Sequence, residues 1–380
     1  MTATLRREGG MIGKVCILSI FTLVIIGAPL IGVSLSGRPA ALFATFPPLT
    51  TPAAHPPFSW LVFAAYLLPL AGVAGLIAAA AAGRGRSLPA AAIPPHTSTF
   101  PPWGWFALAT LAVSWFLAWT RLPWVGQLQR YFFIPLWFAY IGVANALCAH
   151  RSGTCPMRQE PLFFAALFPL SAVFWWFFEY LNQFVQNWCY TGVEYGPVAY
   201  SVHASVSFST VLPAVYTTWW WLSGLGWLER RFSGLPSLRR FAAPTWRWPL
   251  FLLSCAGLIG VGLRPAELSP LLWIAPLLIL TSLRHIAGRR TLFTAMVEGD
   301  WRPVLTAAMA ALVCGFLWEM WNYCSLAKWK YSIPYVHRFQ LFEMPVLGYM
   351  GYLPFGLLCI EITAVVREIF PGDGQGTGSR

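Results

Sequence analysis

Charge is what this sequence has least of. Only 10% of its 380 residues are Asp, Glu, Lys or Arg, and only 13 are acidic, against 57% hydrophobic residues and a mean hydropathy of +0.61. That balance excludes an ordinary soluble globular protein, in which roughly 25% of residues are charged. Clustered metal ligands are missing too. The eight cysteines are scattered, and the one close pair, Cys148 and Cys155, lacks partner ligands at zinc or iron-sulfur spacing. There is no glycine-rich phosphate loop and no histidine-rich cluster, so no metal or cofactor is expected. The net charge of +12 would suggest nucleic acid in a soluble protein. Here the basic residues stand in short segments between apolar runs, where they set membrane topology, and no nucleic-acid partner is expected.

What the chain has in abundance is apolar and aromatic surface. Its 21 tryptophans and 28 phenylalanines exceed what two interfacial belts need, so part of them should line helix contacts or a cavity. Ten apolar runs follow one another, near 15–35, 58–82, 103–121, 131–149, 162–181, 203–223, 248–263, 270–286, 303–322 and 345–366. Most are long enough to cross a hydrocarbon layer of about 30 Å as helices. The expected fold is all-α, a polytopic membrane bundle of about ten transmembrane helices. The runs 248–263 and 270–286 are the shortest, and Pro270 and Pro276 interrupt them.

Arg6, Arg7 and Lys14 precede the first run, which is long for a signal peptide and reads as a membrane helix. Arg38 to Pro57 is proline-rich and reads as an extended loop, and 83–102 reads as a linker. Most of the 25 Lys and Arg fall on the side of the N-terminus. The positive-inside rule then puts both termini in the cytoplasm, the chain in the cytoplasmic membrane, and segments 182–202 and 323–344 on the outer face.

Sliding the chain against itself by 141 residues aligns Pro135-Leu136 with Pro276-Leu277, Tyr190 with Tyr331, and Leu212-Pro213 with Leu353-Pro354. Glu179 and Asn182 meet Glu319 and Asn322 at a shift of 140. This predicts a duplicated four-helix unit. An even number of helices between equivalent points makes it a parallel repeat, with the Glu and Asn ends at one membrane face and a cavity between the units. The expected organisation is a two-helix region with proline-rich linkers over 1–102, a first repeat over 103–230, a second over 231–366, and a disordered cytoplasmic tail over 367–380.

In each copy the Glu and Asn are three residues apart, on one helical face, able to bond each other or a common guest. Aromatic neighbours desolvate Glu179 and Glu319 and favour the protonated form that a general acid needs. Glu179, Asn182, Glu319, Asn322 and Glu343, which lies near the start of the last helix, are the candidate catalytic residues. The second copy is the better equipped, because Val202 stands where Glu343 would be in the first. Trp188, Tyr190, Trp318, Trp321, Trp329, Tyr331 and Tyr349 are the candidate substrate-binding aromatics. His203 and His337 could shuttle protons. Gly348, Gly351 and Gly356 run along the last helix at helical spacing, which permits close helix packing, the expected role, or the approach of a ligand. Glu361 could pair with an arginine. Spacing does not decide whether Cys189 and Cys324 lie close enough to pair.

Glu319, then Trp329 and Tyr331 as Trp-x-Tyr, then Pro345, stand in an order that remotely resembles the integral-membrane lycopene cyclase domain of bacteria and fungi; the first copy keeps Glu179, Trp188 and Tyr190. Where that family has paired glutamates after the proline, this chain has Leu347-Gly348, with Glu343 the nearby carboxylate. The resemblance implies redox-neutral cyclisation or isomerisation of an isoprenoid, with an acid, cation-stabilising aromatics and a base, and without nucleotide or metal. The expected function is therefore that of a membrane enzyme acting on a lipid or isoprenoid near the outer face. A transporter with intramembrane carboxylates and a non-catalytic membrane subunit are the alternatives. Substrate and oligomeric state are not legible in the sequence.

Overall fold

A computed structural model describes residues 2–48, 50–82, 98–232, 235–239 and 244–369. Most of the expected linker and nearly all of the expected disordered tail lie outside the described residues. The main helices are α1 (Thr2–Leu35), α2 (Trp60–Ala82), α3 (Pro102–Trp119), α4 (Phe133–Ser152), α5 (Pro161–Val185), α6 (Pro197–Phe208), α7 (Val211–Ser223), α8 (Arg247–Leu263), α9 (Leu271–Ile286), α10 (Arg302–Tyr323) and α11 (Tyr352–Ile369). Shorter helices, Pro156–Gln159, Gly226–Phe232, Pro265–Leu268 and Leu292–Val297, lie in the connections.

These helices fall on the ten apolar runs, with α6 and α7 sharing one. Among the described residues seven stretches are long and apolar enough to cross a membrane: Gly13–Leu35, Trp60–Ala79, Phe133–Ser152, Pro161–Val185, Pro197–Ser223, Arg302–Tyr323 and Val346–Ile369. The molecule is thus a mostly helical, multi-pass bundle. Arg247–Leu263 and Leu271–Ile286 are apolar but shorter. Proline sets several boundaries. Pro197 opens α6 at its first turn, where the missing N–H costs nothing, so this span starts six residues before the run read from hydropathy. The chain then breaks at Ser209 and Thr210 before continuing as α7. In the last span a 3-10 turn, Val346–Gly351, precedes α11.

Packing is close where residues are small. Gly32 of α1 meets the Ile259 carbonyl of α8, and Gly262 of α8 meets the Pro29 carbonyl of α1. A Cβ at either position would strike backbone, so the two glycines let the helices touch. Gly356 likewise seats α11 against the Ala307 carbonyl of α10. By contrast, none of the described side chains of α2 is buried, although its sequence is apolar. In water such a face would be costly, and in lipid it is at home.

The segments after α5 and α10, expected on the outer face, carry strands. Each forms a short strand, β1 (Trp188–Thr191) and β2 (Lys328–Tyr331), and the two pair antiparallel with Trp188 opposite Tyr331 and Tyr190 opposite Trp329. The register is reciprocal, in that Trp188 meets the residue 141 positions after Tyr190, and Tyr190 meets the residue 141 positions after Trp188. A second small pair joins β3 (Gln340–Leu341) to β4 (Met344–Pro345).

The opposite end of the bundle is tied by charge. Arg284 of α9 is 4% exposed and reaches Glu361 of α11, itself 1% exposed, at 2.8 Å and Glu368 at 3.1 Å. Its guanidinium also donates to the Glu361 and Arg290 carbonyl oxygens. Arg367 of α11 donates to Glu160 just before α5 and, at 2.6 Å, to the Tyr216 hydroxyl of α7. Breaking a buried pair from one side leaves a charge without compensation. Arg284→Ala should therefore destabilise the bundle by about 3 kcal/mol or more, read as a lowered thermal midpoint in detergent, whereas Arg284→Met with Glu361→Leu should recover most of the loss.

Candidate functional site

The polar side chains of α5 and α10 turn inward at the ends next to the strands. Glu179, Asn182, Glu319 and Asn322 are all 0% exposed. Such groups need partners within the protein, and the strands supply them.

The asparagines hold the strands. Asn182 donates to the Trp188 carbonyl at 2.8 Å, and its own side-chain oxygen accepts the Asn187 N–H at 2.8 Å and the Trp188 N–H at 3.4 Å. Asn322 donates to the Trp329 carbonyl at 2.8 Å and accepts the Trp329 N–H at 2.9 Å. The expectation that Glu and Asn bond each other on one helix face gives way here. Each Asn is spent on backbone, because a strand leaving a helix end at that point has N–H and C=O groups to satisfy. Asn182 and Asn322 are positioning residues.

The glutamates hold the aromatics. Tyr190 donates to Glu179 Oε1 at 2.6 Å, joined by the indole N–H groups of Trp175 at 2.9 Å and Trp188 at 3.1 Å. Tyr331 donates to Glu319 Oε1 at 2.8 Å, joined by the Tyr352 hydroxyl at 2.7 Å. The halves exchange one donor. Gly315 stands where Trp175 stands in the first half, and a side chain there would run into the ring of Tyr352. Val211 occupies the position of Tyr352. One half thus draws its extra donor from the same helix, the other from the next.

In both carboxyls Oε2 is buried and has no partner among the described residues. With every donor gathered on Oε1, Oε2 is the oxygen left to carry or pass a proton. Burial first, and the facing carboxylate second, hold the phenols of Tyr190 and Tyr331 well above the usual tyrosine range. They stay protonated and act as donors.

Beside these groups lies a cavity of about 380 Å³, lined from both halves. Its wall includes Trp175, Trp188, Tyr190, Trp318, Trp329, Tyr331, Tyr352 and Trp273. The volume is that of a pocket for a small organic molecule. Neither glutamate lines it. Each reaches it through the tyrosines it holds.

Of the expected substrate-binding aromatics, Trp188, Tyr190, Trp318, Trp329 and Tyr331 line the cavity. Trp321 and Tyr349 do not. Trp321 is packed with Trp115, Trp137 and Tyr140, and Tyr349 donates to the Leu341 carbonyl at 3.1 Å. Glu343 pairs with Lys328 at 2.5 Å, near β2 and away from the wall. His337 meets Gln340 at 2.9 Å and is likewise off the wall, while His203 lines it. Gly348 and Gly351 line it as well, so of the three glycines along the last span only Gly356 serves helix packing alone. Cys189 and Cys324 are free thiols. Among the described residues no cluster of His, Cys, Asp or Glu could hold a metal ion.

Sequence reading overlooked Tyr352, Trp175, Trp273 and Arg130. Tyr352 and Trp175 had a signal, in that each replaces a non-donor at the matching position of the other copy. Trp273 and Arg130 had none, since each comes to the wall from a helix or turn remote in sequence.

Comparison with family models, with curated proteins and with solved structures returned no match. The site is therefore read from its own geometry.

Asn322→Ala removes two buried hydrogen bonds, each worth about 1 kcal/mol. Backbone amides of 328–331, and through the ladder those of 188–191, should exchange with solvent about 5- to 30-fold faster, with the helices unchanged. Hydrogen-exchange mass spectrometry on the purified chain reads this directly.

Proposed function

We propose that this chain is a membrane enzyme that binds a lipid or isoprenoid in the aromatic cavity and performs redox-neutral acid–base chemistry on it. The observation that carries the reading is the presentation of two carboxyl–phenol pairs, Glu179–Tyr190 and Glu319–Tyr331, at one cavity whose other walls are indoles and phenyl rings. In this reading the bundle has ten transmembrane helices in the cytoplasmic membrane, with both termini in the cytoplasm. Two four-helix units form a parallel repeat, a view supported by the reciprocal register of β1 and β2 and by the matching Asn and Glu bonds. The strands and the cavity then lie toward the outer face.

The chemistry follows from the partners. The hydroxyl of Tyr331 or Tyr352 gives its proton to a carbon–carbon double bond and takes that of the Glu319 carboxyl in its place. The resulting carbocation faces the rings of Trp175, Trp318 and Trp329, whose electron-rich faces stabilise positive charge. An internal double bond attacks the cation and closes a ring, or the cation is kept as it stands. Loss of a proton from the neighbouring carbon to the Tyr190 oxygen, as Tyr190 gives its own proton to the second carboxylate, Glu179, yields an isomer of the starting material. No electrons are gained or lost. This is the type of reaction that the likeness to lycopene cyclases implies. Glu319 is the better acid candidate because two phenols serve it, against one phenol and two indoles at Glu179. Glu343, held by Lys328, neutralises that lysine and has no role in the proton transfers.

Glu319→Gln keeps the shape of the side chain and its hydrogen bonds but cannot give up a proton. It should lower product formation by about 100-fold or more, with insertion and folding intact. The assay compares lipid extracts of cells expressing the chain, the variant or an empty control, with and without isoprenoid precursors. Mass spectrometry should show a product of unchanged mass and altered retention. Undiminished product from the variant would remove Glu319 from the mechanism.

A further inference from the structure

The two halves of the cavity differ at one wall. Arg130, Tyr195 and His203 all line it, and they stand together. The Arg130 guanidinium lies 5.7 Å from the centre of the Tyr195 ring, which stacks on the His203 ring at 5.2 Å. Advancing each position by 141 residues gives Leu271, Val336 and Met344, so the second half has only apolar side chains there.

These three polar residues share an unusual condition. Arg130 Nε, the Tyr195 hydroxyl and His203 Nε2 are each buried, and none has a hydrogen-bond partner among the described residues. Buried polar atoms are nearly always paired, and leaving one unpaired is costly. Three such atoms on neighbouring side chains of one cavity wall indicate groups that meet a partner from outside the chain. Arg130 Nε–H and the Tyr195 O–H are donors, and the His203 ring can donate from Nε2. The partner that fits all three is an oxygen acceptor.

Charge narrows the choice. Lys328 also lines the cavity, but Glu343 neutralises it at 2.5 Å. Arg130 donates to the neutral Gln127 and forms no ion pair among the described residues. The wall thus holds one guanidinium charge without a counter-ion, beside an apolar aromatic chamber. Anionic oxygens are the favoured partners of such a guanidinium.

From this arrangement we infer that the ligand is an amphiphile with an anionic oxygen head group, a prenyl phosphate being the type, whose head sits at Arg130, Tyr195 and His203 and whose unsaturated chain fills the space between the tryptophans. The inference rests on the reading of the cavity as the isoprenoid site, and it adds that a bare hydrocarbon is not the preferred occupant. It also sets a direction for binding. The head is held by the first half, which leaves the chain to run along Met344, Gly348 and Gly351 of the second, toward Tyr331 and Tyr352.

The test uses the full chain in nanodiscs of uncharged lipid, with quenching of its tryptophan fluorescence as readout. Geranylgeranyl phosphate, geranylgeraniol and inorganic phosphate are titrated into the wild type and into the triple variant Arg130→Leu, Tyr195→Val, His203→Met, which copies the residues of the second half. Geranylgeranyl phosphate should bind the wild type saturably, with a Kd about tenfold or more below that of the alcohol. The triple variant should lose that margin while its Kd for the alcohol stays put, which also certifies its fold. Inorganic phosphate alone should not quench.

Equal affinity of the wild type for phosphate and alcohol overturns the inference, as does a triple variant that still prefers the phosphate. If the triple variant binds neither probe, Arg130→Leu alone must show the selective loss; equal weakening of both probes there also overturns it. Selective binding of the phosphate, together with undiminished product from Glu319→Gln, would keep this head-group site and discard the acid–base reading. A wild type that binds neither prenyl probe would discard both.

Discussion

Two carboxyl groups buried at helix ends in an apolar bundle are the constraint on which the rest of this structure depends. The backbone of a membrane-spanning helix offers a glutamate nothing to bond with, since it is already satisfied, and lipid supplies no donors. Trp175 of its own helix gives Glu179 one indole donor, and Tyr190 and Tyr331, on the strands that follow, bring phenol donors to both acids from outside. A strand must therefore come back over the helix end, and the asparagine one turn on, Asn182 or Asn322, pins its backbone there. Once both strands lie at the same end, each has an open edge, and the two edges satisfy each other as β1 and β2. The cavity is what remains between two such assemblies.

The same constraint explains where the halves part. A carboxyl needs more than one donor, but the donor can come from any element within reach. In the first half Trp175, four residues before Glu179, provides it. In the second, Gly315 leaves that space empty and Tyr352 of the neighbouring helix fills it. The result is one cavity with unlike walls, with two phenols converging at Glu319 and a basic, hydroxyl-bearing wall around Arg130. A symmetric pocket would bind its guest in either sense; this one has a head and a tail.

At the far end of the bundle, ion pairs take over the work that strands do near the cavity. Arg284 with Glu361 and Glu368, and Arg367 with Glu160 and Tyr216, fasten the terminal helix to helices of both halves. Charged groups thus gather at the two ends of the helices, while the polar contacts midway, Ser171 with the Phe208 and Leu212 backbone and Tyr140 with Thr218, join neutral groups. That distribution suits a one-sided site open to lipid more than a path through the membrane.

Hydropathy alone located the helices, because burial in lipid or in a bundle imposes the same apolar run on each of them. Internal likeness located Glu179, Asn182, Glu319 and Asn322, with the Trp-x-Tyr segments beyond them, since each of the four bonds to the segment that directly follows its own helix. What the sequence could not disclose depended on contacts between remote segments. The pairing of β1 with β2, the donation of Tyr352 to Glu319, the capture of Glu343 by Lys328, and the meeting of Arg130, Tyr195 and His203 at one wall are all set by how the helices pack. Membrane residence and the positions of the two acids were thus determined by the sequence itself, through local hydrophobicity and short-range spacing. The shape and polarity of the chamber were decided only in the tertiary structure, because a cavity is defined by side chains that the chain order keeps far apart.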